Sequence, residues 1–291
     1  MERFVLLTAT GVAQGAIIAV VALGFLLIYK ATGVINFAQG DLVTLGAYVA
    51  AWAATEHDQP LWVAYPLAVA ALFVVGIVLE RLAYAPLRGR SIHVVVIATL
   101  GAALVVRAGI LLWQGSTPTR LRGPLGFDIV ELFGARIPRQ NVLIIAVTVV
   151  LVAVLMLVFA RTSYGRQLRA VAADRVTAQL QGIRVARMSM LTFGASAALS
   201  AVAGILIAPT RAVTVDLGFS AMLYAFAAAI LGGMGRLGGV VVAALAIGLV
   251  RQWGGGYVSP DYAEVYPFVL MLAVIALRPE GLFGGEARVR L

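Results

Sequence analysis

The residues that could do chemistry in this sequence are a few polar side chains inside otherwise apolar stretches. Asn36, Gln39 and Asp41 fall within residues 33–48, which read GVINFAQGDLVTLGAY. Arg107 interrupts a second apolar stretch, residues 92–114. Polar and ionisable groups in such surroundings are costly, so they either pair with one another or line the pathway of a solute. The pattern therefore predicts binding contacts for a polar solute.

Groups needed for covalent or metal-assisted catalysis are missing from the sequence. It has no cysteine and two histidines, His57 and His93, which lie in different segments. Neither paired metal ligands nor a nucleophile set beside a base can be found. The phosphate-binding pattern GxxxxGK[ST] is also absent, so this chain is not itself an ATPase of that kind. We expect no catalytic residue, no metal and no cofactor in this chain.

Apolar helices must position the polar groups. Of the 291 residues, 62% are hydrophobic and 12% are charged, whereas soluble domains carry about 25% charged residues. A spanning helix needs about 20 mostly apolar residues. Uncharged stretches of that length are residues 4–29, 61–79, 141–160, 188–210 and 217–235, and weaker candidates are residues 31–55, 92–114, 237–250 and 265–277. We predict an all-α, polytopic membrane protein of one domain, residues 1–291, with eight or nine transmembrane helices.

Basic residues predict the orientation. Two arginine clusters are separated by two spans and should both be cytoplasmic: Arg81, Arg88 and Arg90, and then Arg161, Arg166, Arg169, Arg175, Arg184 and Arg187. The N-terminus then lies outside, and the tail with Arg278, Arg288 and Arg290 lies inside. This topology signal accounts for the formal charge of +9. Because the arginines lie in loops between spans, we expect contact with membrane lipid and no nucleic-acid partner.

The stretch from residue 115 to 140 lies on the opposite side and is rich in turn residues such as Pro118, Pro124 and Pro138. It is predicted to be an irregular external loop. Its mixed charges, which include Arg122 and Asp128, fit no topology signal. The loop is either a surface for an external partner or simply solvated.

Two glycine-rich segments predict broken helices inside the membrane. Residues 31–48 and 231–245 each combine glycines with a following apolar half-helix, and such paired interruptions are typical of transport sites between inverted repeats. Non-helical backbone at membrane depth must be sheltered by protein or line a wet cavity. The predicted translocation pathway comprises Asn36, Gln39, Asp41, Gly33, Gly40, Gly232, Gly233 and Gly235.

The two charged residues at depth each have more than one interpretation. Asp41 is either functional or placed near the cytoplasmic surface beside Lys30, where it would cap the next helix. Arg107 could neutralise a buried carboxylate, bind a substrate carboxylate, or extend its side chain outward to the interface near Trp113.

An amphipathic helix is predicted in the largest cytoplasmic loop, residues 161–187. Leu168, Ala172, Val176 and Leu180 recur every four residues and form an apolar stripe, and Gly182 can end the helix. Such a helix either docks into a groove on another protein or lies in the lipid interface.

Five ordered segments resemble the permeases of branched-chain amino acid ABC transporters, the LivH type, over nearly the whole chain. They are residues 33–48, residues 80–90 (ERLAYAPLRGR), residues 161–185, residues 225–250 and residues 276–284 (ALRPEGLFG). The family usually has histidine where Gln39 stands.

The resemblance implies a multi-pass permease of the bacterial inner membrane that carries branched-chain amino acids or related small amino acids and amides. It implies a second permease subunit, identical or homologous, two cytoplasmic subunits that bind and hydrolyse ATP, and an external solute-binding protein. It also implies that the 161–187 loop couples the ATPases to the channel through Gly165, Leu168, Arg169, Ala172, Asp174, Val176, Leu180 and Gly182. The alternative is an ion-coupled secondary transporter of small polar solutes, a class that usually places ionisable relays within its spans.

Overall fold

The computed structural model describes residues 1–284 except 122, 127 and 133. Arg122, Arg288 and Arg290, for which a side of the membrane was considered above, lie outside the described residues. The helices are α1 (Glu2–Thr32), α2 (Gln39–Ala51), α3 (Leu61–Leu79), α4 (Ile92–Gln114), α5 (Arg139–Arg161), α6 (Ser163–Ala173), α7 (Arg175–Leu180), α8 (Val185–Ile207), α9 (Leu217–Gly232), α10 (Leu237–Trp253) and α11 (Tyr266–Leu277). Single π-helical turns extend α2 to Glu56, α3 to Tyr84 and α10 to Val258.

Six helices among the described residues are long and apolar enough to cross a membrane: α1, α3, α4, α5, α8 and α10. The predicted count of eight or nine is therefore not reached by full-length helices. The difference lies in α2, α9 and α11, which have 13, 16 and 12 residues. Two of these short helices, α2 and α9, begin inside the protein, where a preceding non-helical segment has already entered the fold.

One end of the helix bundle carries the tryptophans. Trp52 lies 5.8 Å from Trp113 between ring centroids, and Trp253 stacks on Phe4 at 5.7 Å. Trp62, which is exposed, begins α3 at the same end, following directly on the loop after Trp52. Tryptophan is enriched where helices leave the hydrocarbon for the headgroup region. We call this end the tryptophan face.

The opposite end carries most of the arginines and is called the arginine face. Arg175 donates to the carbonyl of Ala31 at 2.6 Å and to the hydroxyl of Tyr84 at 2.9 Å, which joins the ends of α1 and α3 to the α6–α7 segment. Lys30 donates to the carbonyl of Gly235 at 2.7 Å, in the turn between α9 and α10. The two predicted arginine clusters thus lie at the same end of the bundle, as the parity of the spans requires.

The packing has an approximate twofold symmetry between α1–α4 and α8–α11. Helix α1 packs on α10 as α8 packs on α3, and α2 packs on α4 as α9 packs on α11. The close glycine contacts follow the same symmetry. Gly15 packs against Gly248 between α1 and α10, and Gly194 packs against Gly76 between α8 and α3. Because α1 runs toward the arginine face and α8 runs away from it, the two halves are inverted. The repeat partner of residues 33–48 is thus the segment that leads into α9, and the predicted pairing of residues 31–48 with 231–245 is wrong.

Helices α1 and α8 form the centre, and α3, α4 and α5 expose most of their apolar surface. The segment between α4 and α5 is more ordered than the predicted irregular loop. It contains an antiparallel hairpin, β1 (Ile129–Leu132) and β2 (Ala135–Pro138), with Glu131 opposite Arg136. Gly134 has a φ of 81° in the connecting turn.

Candidate translocation site and coupling surface

The first helix break lies where the sequence predicts it. Helix α1 ends at Thr32, and the amide of Gly33, whose φ is 72°, donates to the carbonyl of Tyr29 at 2.7 Å. Residues 33–38 then turn back into the protein, where the side-chain oxygen of Asn36 accepts from the amide of Ala38 at 3.1 Å. In this non-helical segment Asn36 and Ala38 are buried, whereas Gly33 is exposed at the arginine face. The part that enters the protein is therefore sheltered, as a break at membrane depth requires.

Gln39, the first residue of α2, is fully buried between the two central helices. Its Nε2 donates to Ser200 Oγ at 2.7 Å, and its Oε1 lies 2.9 Å from Ser196 Oγ. Ser196 Oγ is also 2.8 Å from the carbonyl oxygen of Gly24, so its single proton can serve either acceptor. Gln39 therefore holds the start of α2 between α1 and α8. Asn36 is also buried, and its Nδ2 has no hydrogen-bond partner among the described residues.

The two short helices cross at glycines. A Cβ on Gly40 would lie 2.9 Å from the carbonyl oxygen of Gly218, and a Cβ on Gly218 would overlap the carbonyl oxygen of Gly40. Thr44 Oγ1 accepts from the amide of Gly218 at 2.9 Å and so satisfies one free donor at the start of α9. The beginnings of α2 and α9 thus meet backbone to backbone.

A cluster of three ionised side chains lies beside this crossing. Arg107 of α4 donates from Nε to Asp41 Oδ1 at 2.9 Å, and its NH1 is 3.2 Å from Asp216 Oδ1. Asp41 is in the first turn of α2 and Asp216 immediately precedes α9, where the helix dipole favours negative charge. We call Asp41, Arg107 and Asp216 the central ion cluster. Among the three interpretations of Arg107, the first, neutralisation of a buried carboxylate, is confirmed, and the alternative placement of Asp41 beside Lys30 is wrong.

The central ion cluster is open on one side. The Asp41 side chain is 7% exposed, but those of Arg107 and Asp216 are 29% and 78% exposed. Phe219 lies under the guanidinium, with its ring centroid 5.7 Å from the Arg107 carbon Cζ. Arg107 is seven residues, about 10 Å, from the end of α4. An exposed carboxylate at such a depth cannot face hydrocarbon without a large cost. The surface around Asp216 must therefore face water or another protein.

Asp216 is a site residue that the sequence reasoning missed. It is the only acidic residue between Asp174 and Asp261, and it directly precedes an uncharged apolar stretch. That isolation was the available signal. Its nearness to Arg107 could not be read from the sequence, because 109 positions separate them and a helix break sets the contact.

The remaining predicted pathway glycines lie away from the central ion cluster, at the arginine face. Gly33 and Gly235 line a cavity of about 380 Å³ with Asp174 and Arg175 of the α6–α7 segment. Gly232 packs against Gly239 across the α9–α10 turn, and Gly233, with a φ of 77°, lies against the backbone of Gly284. The predicted pathway residues thus form two groups. The structure brings Asn36, Gln39, Gly40 and Asp41 together and places the other four about the arginine face.

The predicted coupling helix is two helices. Asp174 ends α6 and caps α7, since its Oδ1 accepts from the amides of Val176 at 2.8 Å and Thr177 at 3.3 Å. These bonds and the Thr177 hydroxyl favour the ionised form, and the side-chain bond to Thr177 contributes most to lowering the pKa of Asp174. The chain turns at this cap. Gly182, with a φ of 80°, follows the end of α7 at Leu180, as predicted.

This turn divides the predicted apolar stripe. Leu168 is fully buried, whereas Ala172 is exposed and Val176 and Leu180 are 66% and 84% exposed. A single continuous stripe is therefore wrong. Gly165 packs on the backbone of Phe159, and Arg169 donates to the Phe159 carbonyl, so α6 is fixed to the end of α5. Helix α7 instead exposes Val176 and Leu180 and buries only its Ala178.

Residues 80–90, one of the five segments that carry the resemblance, connect the end of α3 to the region around α7. Glu80, which is fully buried, accepts from Arg88, and Tyr84 accepts from Arg175 at 2.9 Å. A groove beside α7 is lined by Arg81, Arg184 and Arg187 among others. Basic and exposed apolar groups therefore lie side by side at this face.

Comparison with known proteins identifies the family of this chain. Residues 7–275 match the family described as "Branched-chain amino acid transport system / permease component". The chain belongs to this family. The resemblance inferred from the five sequence segments is thus confirmed.

The chain is similar to several other transport permeases. It is 32% identical over 287 residues to the high-affinity branched-chain amino acid transport system permease protein BraD of Pseudomonas aeruginosa, covering 94% of each chain. It is 32% identical to the corresponding LivH protein of Escherichia coli, covering 94% of this chain and 93% of LivH. It is 25% identical to the ribose import permease protein RbsC of Haemophilus influenzae, covering 82% of this chain and 74% of RbsC. No solved structure matches the chain.

Proposed function

We propose that this permease is the membrane-spanning subunit of an ABC importer that moves branched-chain amino acids, or related small amino acids and amides, inward. ATP would be hydrolysed by two partner subunits at the arginine face. A solute-binding protein would deliver the cargo at the tryptophan face, and a second permease, identical or homologous, would complete the passage. Membership of the family and the names of BraD and LivH support the transport role and the cargo class.

The observation that carries the mechanism is the exposed side of the central ion cluster. A zwitterionic amino acid bears two full charges, and removing each from water costs several kcal/mol. Asp216 and Arg107 offer one partner for each charge, at the junction of α2, α4 and α9. Helix α4 exposes apolar residues such as Leu104 and Val105 on its surface. We infer that this surface meets the second permease and that the passage runs between the two.

The buried residues near the crossing have a different role in this proposal. Asn36 and Gln39, at 1% and 0% exposure, do not line an open passage in this conformation. We propose that they become accessible when α2 moves relative to α1 and α8. The polar contacts of Gln39 with Ser196 and Ser200 provide a set of hydrogen bonds that such a movement would exchange.

The coupling surface is proposed to be α7 and its arginine surroundings. Val176 and Leu180 would insert into a groove on each ATPase, as an amphipathic helix does. The clustered arginines support a cytoplasmic location by the positive-inside rule. The N-terminus would then lie outside.

The experiment that tests this function is ATP-dependent uptake of radiolabelled leucine by vesicles that contain the complete complex. We expect Val176→Asp combined with Leu180→Asp to abolish uptake, since two buried carboxylates would have to enter the ATPase groove. Val258→Asp is the matched control, because Val258 is 76% exposed at the opposite face and should tolerate the charge. Normal coupled uptake in the double variant would refute the coupling role. Uptake that persists without ATP but stops with an uncoupler would favour an ion-coupled transporter instead.

Orientation can be measured separately because the sequence contains no cysteine. A single cysteine at Leu180 should react with an impermeant maleimide only after the cells are opened, and one at Val258 should react in intact cells. The reverse pattern would rule out ATPase binding at α7.

A further inference from the structure

A large cavity lies at the tryptophan-face end of the permease, separate from the central ion cluster. Its volume is about 890 Å³. Its walls come from the first half of α1, the start of α5, the segment after α8, the start of α9 and the end of α10. None of the predicted pathway residues lines it. The proposed transport mechanism therefore leaves this cavity without a role.

Three arginines line this cavity. Arg136 pairs with Glu131 at 3.5 Å, whereas Arg211 and Arg251 have few acidic partners. Among the described residues, the Arg211 side chain has one hydrogen bond, from Nη2 to the carbonyl of Leu217 at 3.3 Å. Arg251 donates to Gln14 Oε1 at 2.7 Å, and its nearest carboxylate, Glu264, is 3.6 Å away and 71% exposed. Asp128 also lines the cavity but pairs with Arg139 at 2.7 Å. The cavity therefore carries an excess of positive charge.

Two residues that line this cavity also have buried polar atoms without hydrogen-bond partners. Arg251 Nε is buried and has no hydrogen-bond partner among the described residues. The same holds for Oε1 of Gln140, a side chain that is only 7% exposed. Buried polar groups are almost always hydrogen-bonded, to protein or to ordered water. An occupant with several oxygen atoms would accept hydrogen bonds from the guanidinium groups of Arg211 and Arg251, which line the cavity.

The rest of the lining is apolar and indicates the kind of molecule. Leu6, Ile17 and Ile18 of α1 face Ile144 of α5 across the cavity. Helix α5 is among the least buried of the long helices, so its flank is open to lipid. A purely polar solute would leave these walls without contacts. A molecule with an oxyanion head and a hydrocarbon tail satisfies both parts of the cavity.

We propose that this cavity binds an anionic phospholipid, with its phosphate between Arg211 and Arg251. The guanidinium groups match a phosphate through paired, charge-assisted hydrogen bonds. One acyl chain would lie along α1 and α5. The lipid would thereby join the segment after α8 to α10 and steady the start of α9. The proposal is independent of the cargo and of the ATPases.

The test is a lipid titration of the full-length permease in detergent, followed by native mass spectrometry. The probe is dioleoylphosphatidylglycerol, and inorganic phosphate and leucine are titrated in parallel by thermal shift. We expect Arg211→Gln and Arg251→Gln each to weaken lipid binding on the order of tenfold, which corresponds to about 1.4 kcal/mol. Arg120→Gln is the matched control, an exposed arginine of the same end that does not line the cavity. It should bind like the wild type.

Each outcome decides the proposal. Arg211→Lys keeps the charge and should bind more tightly than Arg211→Gln, which separates a binding defect from misfolding. Equal lipid retention in all the variants would overturn the site. Stabilisation by inorganic phosphate or leucine that needs both arginines, without lipid retention, would overturn the lipid assignment in favour of a soluble anion.

Discussion

Replacing Arg107 by methionine removes the only cation of the central ion cluster and leaves Asp41 charged and buried. Removal of one partner of a buried ion pair costs about 3–5 kcal/mol, and this range applies because the Asp41 side chain is 7% exposed. Asp216→Asn removes a partner that is 78% exposed, so its stability cost should be about 0–1 kcal/mol. The double variant Arg107→Met with Asp41→Asn removes both charges of the pair and should recover most of the lost stability.

The variants should rank differently in leucine uptake than in thermal stability. If Asp216 holds the cargo's ammonium group, Asp216→Asn should lower leucine uptake on the order of tenfold, a barrier change of about 1.4 kcal/mol, at nearly unchanged thermal stability. The double variant should be stable but inactive. Thermal unfolding in detergent and uptake in vesicles measure the two quantities on the same preparations. Wild-type stability of Arg107→Met would refute the buried pairing, and wild-type uptake by Asp216→Asn would remove the cluster from the passage.

Three other substitutions test the remaining parts of the site. Gly218→Ala places a methyl group on the Gly40 carbonyl and should destabilise the protein by about 1–3 kcal/mol. Gly101→Ala is the control, because Gly101 has open space around it and the added methyl group should not destabilise the protein. Thermal unfolding compares the two variants. Gln39→Leu removes the hydrogen bonds of Gln39 with Ser196 and Ser200, although each serine hydroxyl keeps a carbonyl acceptor. The loss of two bonds should cost about 1–3 kcal/mol, and the substitution should also reduce leucine uptake. Unchanged uptake would exclude Gln39 from the moving element. Asp174→Ala should reduce coupled uptake and Asp174→Asn should not, because asparagine also caps helices; equal activity would mean that the cap is dispensable. Since hydrogen bonds lower the pKa of Asp174, the cap's contribution is present at neutral pH and disappears only as the pH falls below the usual carboxylate range.

Much of the helical framework could be predicted because lipid imposes a simple length rule. Residues 61–79 and 141–160 were identified from the absence of charge, and they coincide with α3 and lie within α5. The break before α2 was also predictable, because polar residues and glycines interrupt an apolar stretch at one place. Such features depend only on neighbours in the chain.

The contacts across the repeat could not be predicted, because they depend on where two broken helices meet. The sequence contains 31 glycines, and no local pattern distinguishes the crossing of Gly40 with Gly218 from the turn at Gly232. The prediction of one apolar stripe in residues 161–187 was wrong for a related reason. Periodicity predicts one helix through Asp174, but the same aspartate is a strong N-cap, and the capping hydrogen bonds outweigh continuation of the helix.

Helix α9 is the element that joins the two functional regions. Its first residues lie at the central ion cluster, and the turn that follows it receives the Lys30 hydrogen bond at the arginine face. Arg175, the first residue of α7, holds the carbonyl of Ala31, next to Lys30. A force applied to α7 by an ATPase would therefore act on the end of α1 and through Lys30 on the end of α9. Because a helix transmits displacement along its axis, we expect this route to move Asp216 relative to Arg107 and so to link ATP hydrolysis with the passage.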